Sequence, residues 1–189
     1  MISAIVLAAG EGTRFGGTKQ LEVVRGAPLV QHAIDAASSA GIGEIVLVLG
    51  HDADRVRAAL DLPAIARIIV NERYREGQST SLIAGLGALD DGSDAAIVLL
   101  ADQPGISPEH IRALIEAFMP AAPTAVRLRF RDGPGPALIP RGIWARVRAL
   151  EGDTGARALF DAHPELVEEI TLDEDAPVDV DRRADLGRA

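Results

Sequence analysis

An apolar run, Ile2 to Leu7, passes directly into a loop in which four glycines, Gly10, Gly12, Gly16 and Gly17, fall within eight residues. The run reads as a buried strand. Glycine admits positive φ and lets a ligand approach backbone N–H groups closely. Successive N–H groups in such a loop form a concave anion site. The loop ends on Lys19, and the chain holds eighteen arginines but only this one lysine. An ammonium is a compact point charge on a flexible stem, whereas a guanidinium is a wide planar fork. A tight phosphate pocket is a place where the two differ, so a phosphate-binding loop with an ammonium at its rim is expected.

The loop matches neither common nucleotide fingerprint. In a G-x-G-x-x-G pattern begun at Gly10, Phe15 stands where the third glycine belongs. Gly12 and Gly17 have Walker spacing, but Thr18-Lys19 reverses the required order. The residues after Lys19 read as strand and turn rather than helix. Loop N–H groups, Arg14 and Lys19 are therefore expected to wrap the phosphates without a helix dipole.

Downstream, apolar runs alternate with helical patterns. Strands are expected at 3–7, 21–24, 44–49, 65–70, 95–100, 124–130, 137–139 and 166–172. Helices are expected at 28–40, 54–60, 78–89, 108–118, 141–150 and 153–162, with Ser107 and Asp153 as N-caps. The alternation predicts a single-domain, three-layer α/β/α sandwich over 1–189. Its sheet is mostly parallel and Rossmann-like, with a short antiparallel portion in the C-terminal half. Residues 1–120 form the nucleotide-binding half and 121–189 the acceptor-binding half. Ligands in such sheets sit at the carboxyl ends of strands. The glycine loop, residues 71–81 and residues 102–105 emerge there.

Composition narrows the function. Aromatic residues make up 3% and the net charge is −9, which argues against stacking on or wrapping a nucleic acid. The absence of cysteine removes disulfides, thiolate metal sites and thiol catalysis. No signal peptide or membrane span is expected, and a cytoplasmic location is. His32, His51, His110 and His163 lack metal-ligand spacing and read as surface residues. The acidic stretch 165–185 reads mostly as solvated surface.

Leu7-Ala8-Ala9-Gly10-x-Gly12-x-Arg14-Phe15-Gly16, with Lys19 and Leu21, resembles the signature of the pyrophosphorylase-like (MobA-like) nucleotidyltransferases. Gly77-Gln78-Ser79-Thr80-Ser81-Leu82, Asp102-Gln103-Pro104, Gly152-Asp153-x-Gly155-Ala156-Arg157 and Asp179-Val180-Asp181 resemble the molybdenum cofactor cytidylyltransferases. The resemblance implies magnesium at Asp102, with Asp181 as a second ligand. It implies nucleotide contacts from Leu7, Ala8, Ala9, Gly10, Gly12, Thr13, Arg14, Lys19, Gly77, Gln78, Ser79, Ser81 and Asp102. Ser79 and Ser81 are equally suited to cap a helix. Lys19, Arg14 and Asp102 are the catalytic candidates, since two cations and a metal-holding carboxylate can stabilise a leaving pyrophosphate.

By the same resemblance the nucleotide is CTP, the acceptor is molybdopterin, and a molybdoenzyme or its chaperone is a partner. One element departs from the family pattern. Gly133-Pro134-Gly135-Pro136 stands where relatives carry Gly-His-Pro, with Gly135 in the histidine's place. That leaves the nucleotide chemistry intact and the acceptor open. A sugar or polyol phosphate is the alternative acceptor. A nucleotide-binding chaperone without turnover is the alternative class.

Overall fold

Strand β1 (Ile2–Ala8) is apolar at nearly every position because both of its faces are covered. Ala4, Val6 and Ala8 point into one core, and Ile5 and Leu7 into another. The computed structural model describes residues 1–122 and 124–189. Seven strands form the sheet: β1, β4 (Glu44–Leu49), β5 (Ala66–Val70), β6 (Ala95–Leu100), β7 (Ala125–Arg129), β8 (Pro134–Pro140) and β9 (Val167–Thr171). Their spatial order is β5-β4-β1-β6-β8-β7-β9. The first four neighbours run parallel, β8 is antiparallel to both β6 and β7, and β9 is parallel to β7.

Helices α1 (Leu29–Ser39), α2 (Ala53–Ala58) and α4 (Pro108–Ala117) contribute Val30, Ile34, Val56, Ile111 and Leu114 to the first core. Helices α3 (Gln78–Ala88), α5 (Trp144–Val147) and α6 (Ala156–Ala162) contribute Leu82, Leu86, Trp144, Leu159 and Phe160 to the second. This is the expected three-layer sandwich. Helix α3 comes close to the sheet at Gly85, where any side chain would collide with Ile5. No helix among the described residues is long and apolar enough to cross a membrane.

Several boundaries differ from those expected. Residues Lys19–Leu21 form a 3₁₀ turn, so a short helical turn does begin at Lys19. The strand expected over 21–24 shrinks to β2 (Val23–Val24), paired with β3 (Ala27–Pro28) in a ribbon. Arg25 and Gly26 turn it, both at positive φ (48° and 87°), the backbone that two-residue hairpins favour. Pro28 is therefore a ribbon residue capping α1 rather than its first turn. The helix expected over 141–150 is a 3₁₀ turn (Arg141–Ile143) followed by the single turn of α5. Helix α6 starts at Ala156, with Gly155 at its N-cap position, so Asp153 does not cap it. Ser107 does cap α4, and the reciprocal partner is His110, whose Nδ1 accepts from the Ser107 N–H at 3.0 Å. His110 is thus a mostly buried structural group, not a surface one.

Candidate active site

Strands β1 and β6 are neighbours, and from them the chain proceeds towards opposite edges of the sheet, to β4 and to β7, while α1 and α4 pack on the same face. Their carboxyl ends form a topological switch point, where open α/β sheets bind ligands. A cleft of about 880 Å³ opens there, within the range of small-molecule sites.

The glycine loop forms one wall. Gly12 sits at φ 62° with its missing side chain blocked by the Gly17 carbonyl. Its own carbonyl accepts from the N–H groups of Phe15 and Gly16, each at 2.9 Å. The buried Gln20 fastens the loop from below. Its Nε2 donates to the carbonyls of Ala8 (3.0 Å) and Gly10 (2.7 Å). The Thr18 hydroxyl donates to Asp52, and that bond holds the Asp52 carboxyl below its usual range. Phe15 anchors the far side in a small core with Val24, Leu29 and Val180.

Lys19 reaches across the cleft. Its Nζ donates to Asp102 Oδ2 at 2.7 Å, to the Val180 carbonyl at 3.1 Å and to Asp181 Oδ1 at 3.2 Å. Burial works against the ammonium, but Asp102 and then Asp181 outweigh it and hold the lysine above its ordinary range. The acidic tail is thus not all solvated surface. Val180 is fully buried, and its N–H donates to the Asp102 carbonyl at 2.9 Å, which sets Asp181 beside Asp102. Asp179 stands in the same corner. Desolvation, with Asp102 and Asp181 nearby, pushes its carboxyl up, although Gln103 donates to it at 2.8 Å.

Two buried side-chain atoms here lack a partner among the described residues, Gln20 Oε1 and Asp102 Oδ1. Asp102 Oδ1 is buried and accepts no hydrogen bond, an arrangement that a cation relieves. No three acidic or imidazole groups converge to cage a metal among the described residues. Magnesium does not need such a cage, because one or two carboxylates plus substrate phosphates hold it. Asp102 and Asp181 fit that donor set.

The opposite wall is the start of α3. Gly77 adopts φ 120° and lies so close to Gly152 and Asp153 that a side chain would strike their backbone. The Ser79 N–H and hydroxyl both donate to the Gly152 carbonyl, at 3.2 and 2.8 Å. The Ser81 hydroxyl accepts from Asn71 Nδ2 at 3.0 Å. Neither serine caps the helix.

The cleft gathers Leu7, Ala8, Ala9, Gly10, Gly12, Thr13, Arg14, Lys19, Gly77, Gln78, Ser81, Asp102 and Asp181, all of them expected from the sequence. Ser79 is the exception, buried against Gly152 behind that wall. Arg14 is exposed and makes no ion pair among the described residues. Sequence reasoning missed Glu11, Gln20, Tyr74, Arg75 and Glu76, and gave Asp153 no place in the cleft, yet all six line it. Glu11 accepts from Arg75 Nε at 2.7 Å across the cleft mouth, which lowers the Glu11 carboxyl. Gly135 lies on β8 where a side chain would collide with Phe130 and Leu128, so this backbone has no room for a histidine there.

Residues 4–167 match the model of the MobA-like NTP transferase domain. The chain belongs to the MobA-like NTP transferase family. A MobA-like relative named nicotine blue oxidoreductase, from Paenarthrobacter nicotinovorans, is 33% identical over 95% of this chain and 92% of its own length. The bifunctional protein GlmU of Agrobacterium fabrum is 33% identical over 77% of this chain, which spans only 33% of that longer protein. Among solved structures, Rv0371c of Mycobacterium tuberculosis superposes with a TM-score of 0.86 at 30% identity, covering 99% of this chain and 95% of its own. A manganese complex of the same protein superposes with a TM-score of 0.84.

Proposed function

We propose that this MobA-like chain transfers a cytidylyl group from CTP to a phosphate-bearing acceptor, with magnesium as cofactor, and releases pyrophosphate. An acceptor phosphate oxygen bonds to the α-phosphorus. The bond from that phosphorus to the bridging oxygen breaks, and pyrophosphate leaves with the electron pair. The observation that carries this reading is the Lys19–Asp102–Asp181 cluster at the switch point, with its partnerless Asp102 oxygen. The attacking oxygen is already an anion, so no side-chain nucleophile is required.

Catalysis then rests on alignment and charge neutralisation. The loop N–H groups, Arg14 and Lys19 neutralise the β- and γ-phosphates. When bound by Asp102 and Asp181, magnesium would supply further positive charge at the triphosphate. The Gly77 and Gln78 backbone borders the nucleoside, with Ser81 beneath it. The choice of CTP, and of molybdopterin as acceptor with a molybdoenzyme or its chaperone as downstream partner, rests on the resemblance of residues 77–82 and 152–157. The division into a nucleotide half (1–120) and an acceptor half (121–189) belongs to the same reading, with Asp179 to Asp181 crossing back into the first half's cleft.

A pyrophosphate-release screen of the four NTPs against molybdopterin and sugar phosphates tests it. CTP with molybdopterin is expected to give the highest rate, and chelation of the metal to abolish it. Release with GTP or ATP but not CTP would overturn the base assignment. Tight nucleotide binding with no release under any pairing would favour a chaperone. A second reading, a redox function, is favoured by the oxidoreductase-named relative that matches nearly the whole chain. Electron transfer from a reduced nicotinamide to an added two-electron acceptor, such as a quinoid dye, catalysed by the purified protein without pyrophosphate release, would select it.

A further inference from the structure

Among the described residues, Arg25 and Asp52 are the two that adopt positive φ without being glycine. Arg25 turns the β2–β3 ribbon, which accounts for it. Asp52, at φ 52° and ψ 32°, turns no hairpin. It stands at the N-cap position of α2, where an aspartate ordinarily keeps an extended backbone and bonds to the helix N–H groups. Here the backbone is left-handed, which disfavours residues with a side chain, aspartate less than most. The carboxylate also makes no capping bond. It turns away from the helix and accepts from the Thr18 hydroxyl. Strained backbone of this kind persists where its surroundings hold it, and it clusters at functional sites.

We infer that Asp52 is a positioning residue for Lys19: by holding Thr18 it fixes the backbone from which the ammonium reaches Asp102. The inference rests on the transferase reading, in which Lys19 neutralises the triphosphate. The loop after β4 grips the glycine loop at both ends. At its base, the His51 N–H donates to the Ala9 carbonyl at 3.1 Å. Gly50 lies so close to that carbonyl and to Tyr74 that a side chain would collide with both. At the far end stands the Thr18–Asp52 bond. The other charged groups near the Asp52 carboxylate, His51 at 3.7 Å and Arg55 at 3.9 Å, lie beyond hydrogen-bond reach, so Thr18 is its one short contact among the described residues. Thr18 in turn opens the 3₁₀ turn that carries Lys19, its carbonyl accepting from the Leu21 N–H at 3.1 Å. The ammonium then spans the cleft to Asp102 at 2.7 Å. A shift of Thr18 moves the origin of that reach, and a misplacement of about 1 Å can cost about 10²-fold in rate.

Asp52→Gly separates positioning from folding, because glycine takes the left-handed backbone without strain while releasing Thr18. Its unfolding stability is expected to match or exceed the wild type's. Its KM for CTP should stay within a few-fold, while kcat for pyrophosphate release with molybdopterin falls by about 10–10²-fold. Asp52→Asn tolerates the backbone and keeps an acceptor for the hydroxyl, so its kcat should stay within a few-fold of the wild type's. Thr18→Val breaks the same bond from the other side. Joined to Asp52→Gly it should lower kcat no further, as for two residues that act through one contact.

The lone lysine supplies a readout independent of turnover. With isotopically labelled lysine, nuclear magnetic resonance of the nucleotide-free protein shows one ammonium signal, whose hydrogen exchange is slow while the group is hydrogen-bonded. Asp52→Gly and Thr18→Val should move that signal towards free lysine and speed its exchange, and Asp52→Asn should leave it in place. A kcat loss in Asp52→Gly that accompanies a loss of stability overturns the inference. So does an Asp52→Asn variant as slow as Asp52→Gly, or a signal unmoved in both Asp52→Gly and Thr18→Val. A signal that moves in both, in a protein that releases pyrophosphate from no NTP, supports the positioning role and defeats the transferase reading. Pyrophosphate release at the wild-type rate in both variants, with an unmoved signal, does the reverse.

Discussion

The ammonium of Lys19 lies 2.7 Å from Asp102 Oδ2, so the loop after β1 is tied to the chain after β6 by one ion pair across the switch point. Both side chains are mostly enclosed, at 16% and 24% exposure, and the pair is shielded from the screening that makes surface ion pairs weak. On the proposed function, the lone lysine would serve two anions in turn, Asp102 in the contacts seen here and the triphosphate of a bound nucleotide.

A guanidinium cannot repeat this. It carries the same charge on a broader, planar group with fixed donor directions. Lys19→Arg should retain nucleotide affinity within a few-fold while pyrophosphate release falls by about 10²–10³, the typical loss when one transition-state donor is misplaced. Single-turnover release measured beside calorimetric binding separates the two effects. Wild-type turnover in Lys19→Arg would show that the position asks only for charge.

Gly77 carries the contact that joins α3 to the loop before α6. Its φ of 120° is strained for any other residue, and its Cα faces the Gly152–Asp153 backbone directly. Gly77→Ala should lower unfolding stability by at least about 1–3 kcal/mol from backbone strain alone. It should also weaken nucleotide binding, because Gln78 and Asp153 border the cleft on either side of the contact. Urea unfolding and nucleotide titration of the same variant test both. A change in affinity without a change in stability would contradict the packing argument.

These residues also show what the sequence could and could not reveal. The sheet was legible because a strand buried on both faces is apolar throughout, as β1, β4 and β6 are. The glycine loop, Gly77 and Asp102 were legible because positive φ and strand ends leave marks in local sequence. Asp181 was nameable only through resemblance. It arrives beside Lys19 from 162 residues away, brought there by the burial of Val180, and no local pattern announces that return. Gln20 was missed because a glutamine after a loop reads as solvated, whereas here its amide replaces the backbone bonds that the glycines forgo. Asp153 was read as a helix cap because local sequence cannot weigh an N-cap against a tight glycine contact that starts the helix three residues later.

At the far end of the sheet, Glu44 accepts from Arg67 at 2.6 Å, from the Ser3 hydroxyl at 2.8 Å and from the Asp90 N–H at 3.1 Å. Burial opposes its charge, but Arg67, Ser3 and Asp90 together hold the carboxyl below its ordinary range. A depressed carboxyl contributes stability that is complete above the unfolded value, about 4.3, and is lost as pH falls through the lower folded value. Glu44→Gln should cost about 1.5–3 kcal/mol near neutral pH, as for hydrogen bonds to a charged group. It should then lose less than the wild type between about pH 7 and pH 3.5. Urea denaturation at the two pH values gives both numbers. An acid-induced loss as large as the wild type's would remove Glu44 from the account.

The double engagement of Lys19 makes a sharper demand on the metal site. The ammonium and a divalent ion would contend for the same two carboxylates, Asp102 and Asp181. At a separation of about 4 Å and an effective dielectric near 20, a unit and a double charge repel by about 8 kcal/mol. That exceeds what an ion pair at this depth returns, so the lysine would have to leave the carboxylates for a metal ion to be held by them, and a triphosphate would give it a new partner. Without nucleotide it has none, and the empty cleft should take up metal poorly. Lys19→Met removes the competitor at similar length. It should bind manganese without nucleotide at least about tenfold more tightly than the wild type, while its affinity for the metal–nucleotide complex falls. Manganese titration followed by electron paramagnetic resonance, with and without CTP, reads both directions. Equal manganese affinity in the two proteins without nucleotide would mean that the ion sits elsewhere and that Lys19 and the metal do not share Asp102.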